Sequence, residues 1–216
     1  RYGRDEGHDE GKQAEYDAFW DTFQENGTRT VYWCAFAGRG WCDELFKPKH
    51  KIKVVDGTRM FYASGIKNAV LADFDWTSAE KFDYMFAESL VEHIDVIDFT
   101  AVPSSRTVQL PVYYCVELKT VGKIILRDDG TNMFNDMAFN LNGKLEDLTF
   151  EGKIGCSLNI SSNTKLTHDS LMSVINALKD YSGTGTTRTL NLGATNLAKL
   201  SDAEKATATQ KGWTLA

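Results

Sequence analysis

No run in this sequence approaches the roughly 20 apolar residues that a membrane-spanning helix needs, and no apolar leader opens it. The chain starts at Arg1 without a methionine, which predicts a fragment or a mature product. A sustained basic face is missing as well, and nucleic-acid binding needs one. The one basic run, Lys47 to Lys53, is short and includes Pro48. Lysine and proline together suit a solvated linker or the edge of a sheet. Cysteine is scarce, with Cys34, Cys42, Cys115 and Cys156. They form no C-x-x-C pair and show no zinc-finger spacing. Cys34 and Cys42 lie close enough in sequence to close a local disulfide in an oxidising environment, whereas Cys115 and Cys156 read as free buried thiols. The compartment is therefore open on cysteine usage.

Chemistry-bearing patterns are absent too. The histidines His8, His50, His93 and His168 fall in unrelated segments, with His93 read as a half-exposed surface residue. There is no G-x-S-x-G, H-E-x-x-H or phosphate-binding loop. Gly183-Thr184-Gly185 has no Lys-Ser or Lys-Thr after it and reads as a turn. Cys34, Cys42 and His50 are too far apart for a compact ligand set, and Asp128-Asp129-Gly130 with Asn132 lacks the distal glutamate of a calcium loop. The expectation is a non-enzymatic chain with no metal and no cofactor.

The 216 residues are 42% hydrophobic, enough for a real core, and carry a net charge of −6. Most of that charge lies in the first 25 residues. From residue 56 to 155 a phrase recurs: an aromatic, about five positions, an aliphatic, then a short aliphatic ladder. The aromatics are Phe61, Phe86, Tyr113 and Phe139, and the first aliphatics are Ile66, Val91, Leu118 and Leu145. Val91 leads to Ile94, Ile97 and Phe99, and Leu118 leads to Val121, Ile124 and Leu126 at the same offsets. A period in the twenties with this ladder is the signature of a leucine-rich-repeat solenoid. Each phrase is expected to open with a short helical turn that carries the aromatic, and Thr77-Ser78-Ala79-Glu80 reads as a capping box. Each is then expected to pass into a strand, with Ile97, Phe99, Ile124 and Leu126 inward and Asp98 and Ile125 outward.

The ends differ from the middle. Residues 1–13 are an acidic lead-in with Gly3, Gly7 and Gly11 spaced by four, either flexible or a strand of an oligomerising stalk. Residues 14–55 read as an N-terminal cap. Its helix over 14–26 would place Tyr16, Phe19, Trp20 and Phe23 on one face, and an aromatic-rich stretch follows. Residues 156–216 read as a last repeat and closing cap. The expectations there are a helix over 168–180, a strand at Thr189-Leu190-Asn191-Leu192, a helix from a capping box at Ser201 to about Gln210, and a last strand at Trp213-Thr214-Leu215. The fold class is thus α/β, a solenoid of about four irregular repeats capped at both ends.

The Met-Phe phrase with its ladder, the opening Gly-Lys-Gln-Ala-Glu-Tyr-Asp-Ala-Phe-Trp-Asp at 11–21, and the ending Leu-Ser-Asp-Ala-Glu-Lys followed by Lys-Gly-Trp-Thr-Leu resemble the BspA-type leucine-rich-repeat surface proteins of gut Firmicutes and their phages. The third phrase departs from that pattern with Tyr113-Tyr114-Cys115, and the first with Ala69 and Ala72. The resemblance implies an extracellular, cell-surface or virion-associated binding protein, with no catalytic set. The expected partner is a surface protein or glycan, with possible self-association through residues 1–13. The alternative is a structural phage-tail component in which the repeats are a rigid spacer. If the sheet face binds, Asp73, Asp75, Asp95 and Asp98 with Lys123, Arg127, Asp147 and Glu151 are the candidate side chains.

Overall fold

The structure, a computed structural model, describes residues 30–31 and 52–216. The acidic lead-in, the helix expected over 14–26, the aromatic stretch and the Cys34–Cys42 pair lie outside the described residues.

The chain is mixed α/β, with parallel strands in small sheets and few helices. The strands of its first part are β1 (Thr30–Val31), β2 (Lys53–Val54), β3 (Asn68–Ala69), β4 (His93–Asp98), β5 (Thr107–Val108), β6 (Thr120–Ile125), β7 (Met133–Phe134) and β8 (Asp147–Glu151). The closing part holds β9 (Leu158–Asn159), α1 (His168–Ala177), β10 (Arg188–Asn191), α2 (Gly193–Leu197), α3 (Asp202–Gln210) and β11 (Trp213–Leu215). The central sheet is four-stranded and parallel, in the order β3-β4-β6-β8.

The ladder residues build this sheet as expected. Val91, Ile94, Ile97 and Phe99 are all buried, as are Leu118, Val121, Ile124 and Leu126, while Asp98 and Ile125 stay half-exposed. Ile94 pairs with Val121 and Ile97 with Ile124. Two residues, not one, separate the inward positions of β4 and β6, and Asp95 and Val96 are both only partly buried. In β8 the inward Leu148 and Phe150 alternate normally, so the register shifts between Val121 and Ile124. Gly122 of β6 packs against the backbone of β4, and a Cβ there would meet the Asp95 carbonyl oxygen at 2.6 Å.

The helical turns expected at the aromatics are not formed. These stretches are tandem turns with left-handed residues on either side of the buried side chain: Arg59 and Ala63, Tyr84 and Glu88, Leu110 and Tyr114. The turns bond to one another in parallel, Phe61 N to Met85 O at 2.8 Å and Phe86 N to Pro111 O at 2.8 Å. That ladder corrects the third phrase by one residue. Val112, 1% exposed, occupies the position of Phe61, Phe86 and Phe139, and Tyr113 faces outward. Thr77 to Glu80 does not start a helix either. Asp75 Oδ1 takes both the Thr77 amide and its hydroxyl, and Lys81 then bridges in parallel to Asp56. The basic run ends in β2, which has β1 on one side and a bridge from Lys53 to Asp75 on the other, so Lys53 does not lie on an open edge.

The closing part matches its sequence pattern closely. Leu171, Val174, Ile175 and Leu178 are buried, with α1 ending at Ala177 so that Leu178 bridges to Ile154. The capping box at Ser201 and Glu204 opens α3. Trp213 is 3% exposed and donates its indole N–H to Lys179 O at 2.8 Å. Helix α1 lies along β8 where a further strand would pair. Ser170 Oγ accepts the Leu148 amide and Ser173 Oγ accepts the Phe150 amide, each at 2.9 Å. These two amides on the β8 edge of the sheet are thereby satisfied.

Candidate functional site

Parallel pairing sets the outward side chains of successive strands side by side. Val96 stands beside Lys123, Asp98 beside Ile125, and Ile125 beside Glu151. A hollow of about 240 Å³ opens on this face where the segment after β3 meets β4 and Ile125 of β6. Phe74, Trp76, Val96 and Ile125 give it apolar walls, and Asp75 and Asp98 bring carboxylates to it. Both aspartates form the same turn. Asp98 Oδ1 accepts from the Thr100 amide at 2.8 Å and its hydroxyl at 2.6 Å, as Asp75 does from Thr77. Asp129 repeats the geometry with Thr131, and those bonds hold its carboxyl below the ordinary value.

The eight candidate side chains do not form one strip. Asp75 and Asp98 share the hollow. Asp95 is used within the scaffold. Its Oδ1 accepts from Leu71 N at 2.8 Å and its Oδ2 from Ala72 N at 3.0 Å, continuing the joint between β3 and β4. Asp73 is exposed outside the hollow. Lys123 and Glu151 pair at 2.8 Å. Arg127 leans on Asp129 at 3.6 Å and donates to Val102 O at 3.4 Å. Asp147 accepts from Thr167 at 3.3 Å, at the start of α1. The aspartates were legible as candidates, whereas the apolar walls at Phe74, Trp76 and Val96 were not singled out by the sequence. The signal available was the Asp-x-Thr triplet at 75–77, 98–100 and 129–131.

Two other columns run from segment to segment. Inside, Ser64, Ser89, Cys115, Asn142, Asn163 and Asn196 are all buried. Asn142 donates to Val112 O and Phe139 O and accepts from Cys115 N. Asn163 accepts from Asn142 N and donates to Phe139 O. Cys115 is a free buried thiol in this column, pushed up to about 12 by burial, and Cys156 is likewise free and buried. Neither is the thiolate that nucleophilic chemistry requires. Outside, Glu92 bridges Lys119 at 2.6 Å and Lys67 at 3.3 Å, and bonds from those two ammonium groups hold its carboxyl below the ordinary value. Glu146 lies beyond Lys119 in the same series. Half-buried His93 pairs with Thr120 Oγ1 at 2.8 Å, and exposed His168 with Glu204 Oε1 at 2.9 Å. Among the described residues no cluster of His, Cys, Asp and Glu could hold a metal ion, and no helix is long and apolar enough to cross a membrane.

The chain matches no protein-family model, no curated protein and no solved structure.

Proposed function

We propose that this chain is a non-enzymatic recognition protein, a leucine-rich-repeat solenoid of the BspA-type kind, that binds a cell-surface or extracellular ligand through the outward face of its central sheet. One observation carries the reading. β3, β4, β6 and β8 stack in parallel at sequence steps of 25 to 27, with Asn68 opposite His93, His93 opposite Thr120 and Thr120 opposite Asp147. Their inward positions are apolar throughout, whereas the outward ones differ from strand to strand: Val96 and Asp98, then Lys123 and Ile125, then Thr149 and Glu151. A stack with fixed inner and varied outer positions keeps one scaffold while presenting a particular surface. Affinity in such surfaces concentrates in a few side chains, and the hollow at Asp98 is a concave feature that three segments of this sheet build together. The protein acts outside the cell, on a bacterial envelope or a virion.

Labelled full-length chain applied to intact gut bacteria, mucin and epithelial cells tests this. Selective staining of one surface is the expected result, and it must weaken when Val96 and Ile125 on the outward face are replaced by aspartate. Staining that survives both changes overturns the assignment of the face. Absence of staining from every surface overturns the recognition reading in favour of the structural spacer.

A further inference from the structure

We propose that the hollow bordered by Asp98 seats the guanidinium of an arginine side chain presented by a protein partner. This rests on the recognition reading and gives it a ligand chemistry. Size is the first argument. At about 240 Å³ the hollow falls below the ~300–1,000 Å³ of sites that enclose whole small molecules, and it suits one long side chain. Wall chemistry is the second. Phe74, Trp76, Val96 and Ile125 offer apolar surface for methylenes and for the face of a planar cation. A guanidinium is weakly hydrated and tolerates such walls, whereas an ammonium is a compact, strongly hydrated charge.

Charge complementarity is the third argument. Among the described residues, the side chains lining the hollow include the carboxylate of Asp98 and no basic group. Two cations of the neighbouring strands are engaged elsewhere, Lys123 with Glu151 and Arg127 with Asp129. Asp98 is fixed through Oδ1 by Thr100, and its Oδ2 accepts no bond from the described residues. A carboxylate held in place by one oxygen offers the other, Oδ2, to a single charge-assisted N–H donor without paying to order itself. The same charge repels acidic glycans and phosphate polymers, which leaves a protein as the source.

The test is a two-dimensional NMR titration of the full chain with acetyl-Gly-Arg-Gly-amide. Analogues carrying citrulline or lysine in place of arginine are run beside it. The arginine peptide is expected to shift the Trp76 indole and the Val96 and Ile125 methyl signals, and citrulline, its uncharged isostere, to leave them in place. Lysine is expected to bind more weakly than arginine. Asp98→Asn keeps an oxygen for the Thr100 turn and is expected to weaken the arginine peptide by roughly tenfold or more, the factor that one charge-assisted hydrogen bond carries. Equal shifts from citrulline, shifts that map away from the hollow, or none at the highest soluble peptide concentration overturn the proposal, and the peptide comparison needs no variant to fold. Cell staining separates this from the broader reading. Staining that is indifferent to Asp98→Asn, with an empty hollow, sinks the arginine assignment alone. A filled hollow on a chain that stains nothing sinks the recognition reading alone.

Discussion

The central sheet and the closing part from residue 156 onward are both built on parallel strands, yet they satisfy their backbones in opposite ways. Between residues 52 and 167 there is no helix, and amides find carbonyls some 25 residues away, as Phe61 does at Met85 and Tyr84 at Gln109. In the closing part α1 and α3 bond within themselves and start from side-chain caps, Thr167 on the Ser170 amide and Ser201 on Glu204. The first region has almost no local stability to draw on. Each segment stands because its neighbours stand. The second draws part of its hydrogen bonding from within its own helices.

Damage to the aromatic stack should therefore spread, and it tests the comparison most severely. Phe86 is fully buried and stacks on Phe61 with centroids 4.8 Å apart. Phe86→Ala is expected to cost about 3–5 kcal/mol. Urea unfolding followed by hydrogen exchange should show amides of β3, β4 and β6 losing protection together while α3 keeps its own. Equal loss in α3 would make the two regions one cooperative unit.

Asn142→Ala comes next, at about 2–3 kcal/mol, because it strands the Cys115 amide and the Val112 carbonyl, while Phe139 O keeps its bond from Asn163. Replacing it with Ser, the residue of the first two segments, should recover part of the loss. Full recovery would show that the column needs only a small polar group.

A gentler break lies at the seam. Ser170→Ala with Ser173→Ala uncovers the Leu148 and Phe150 amides. The double variant is expected to lose about 2 kcal/mol and to self-associate in sedimentation runs, since an open strand edge is a pairing template. A variant that stays monomeric would mean that α1 shields the edge by bulk alone.

The smallest effect belongs to acid. Lys119 and Lys67 hold the Glu92 carboxyl below its unfolded value, and the Ser201 backbone and hydroxyl do the same for Glu204. A lowered folded value means that the unfolded chain takes up the proton first. The contribution is present above the ordinary glutamate value of about 4.3 and fades as pH falls through the folded one. The drop in melting temperature between pH 7 and pH 3 should be smaller for Glu92→Gln than for the parent. An identical drop would assign the acid sensitivity to other carboxylates, such as Glu204.

Much of this was legible in the residues, and the exceptions have physical reasons. The ladders, helices α1 and α3, the last strand and the buried Trp213 follow from apolar periodicity and capping, which are local, whereas the short α2 has no side-chain cap and was not expected. The register of the third segment does not. Hydrophobic matching favours Tyr113, but the backbone ladder from Phe86 to Pro111 places Val112 inside. Thr77-Ser78-Ala79-Glu80 has the letters of a helix start, yet Asp75 two positions earlier captures Thr77 for a turn. Of the acidic pairs, Asp75 and Asp98 reach one hollow. Asp95 is diverted by the double outward step in β4 to the end of the preceding strand. Side-chain type is visible in a sequence, but partners 23 to 27 residues away are not.

The outer charge column has a consequence for how such a chain can grow. Lys67, Glu92, Lys119 and Glu146 occupy equivalent places and alternate in sign. Removing one segment, or duplicating one, sets lysine against lysine or glutamate against glutamate at the new junction. Removing or adding two restores the alternation. The column therefore works as a parity rule for the charges that meet at each junction.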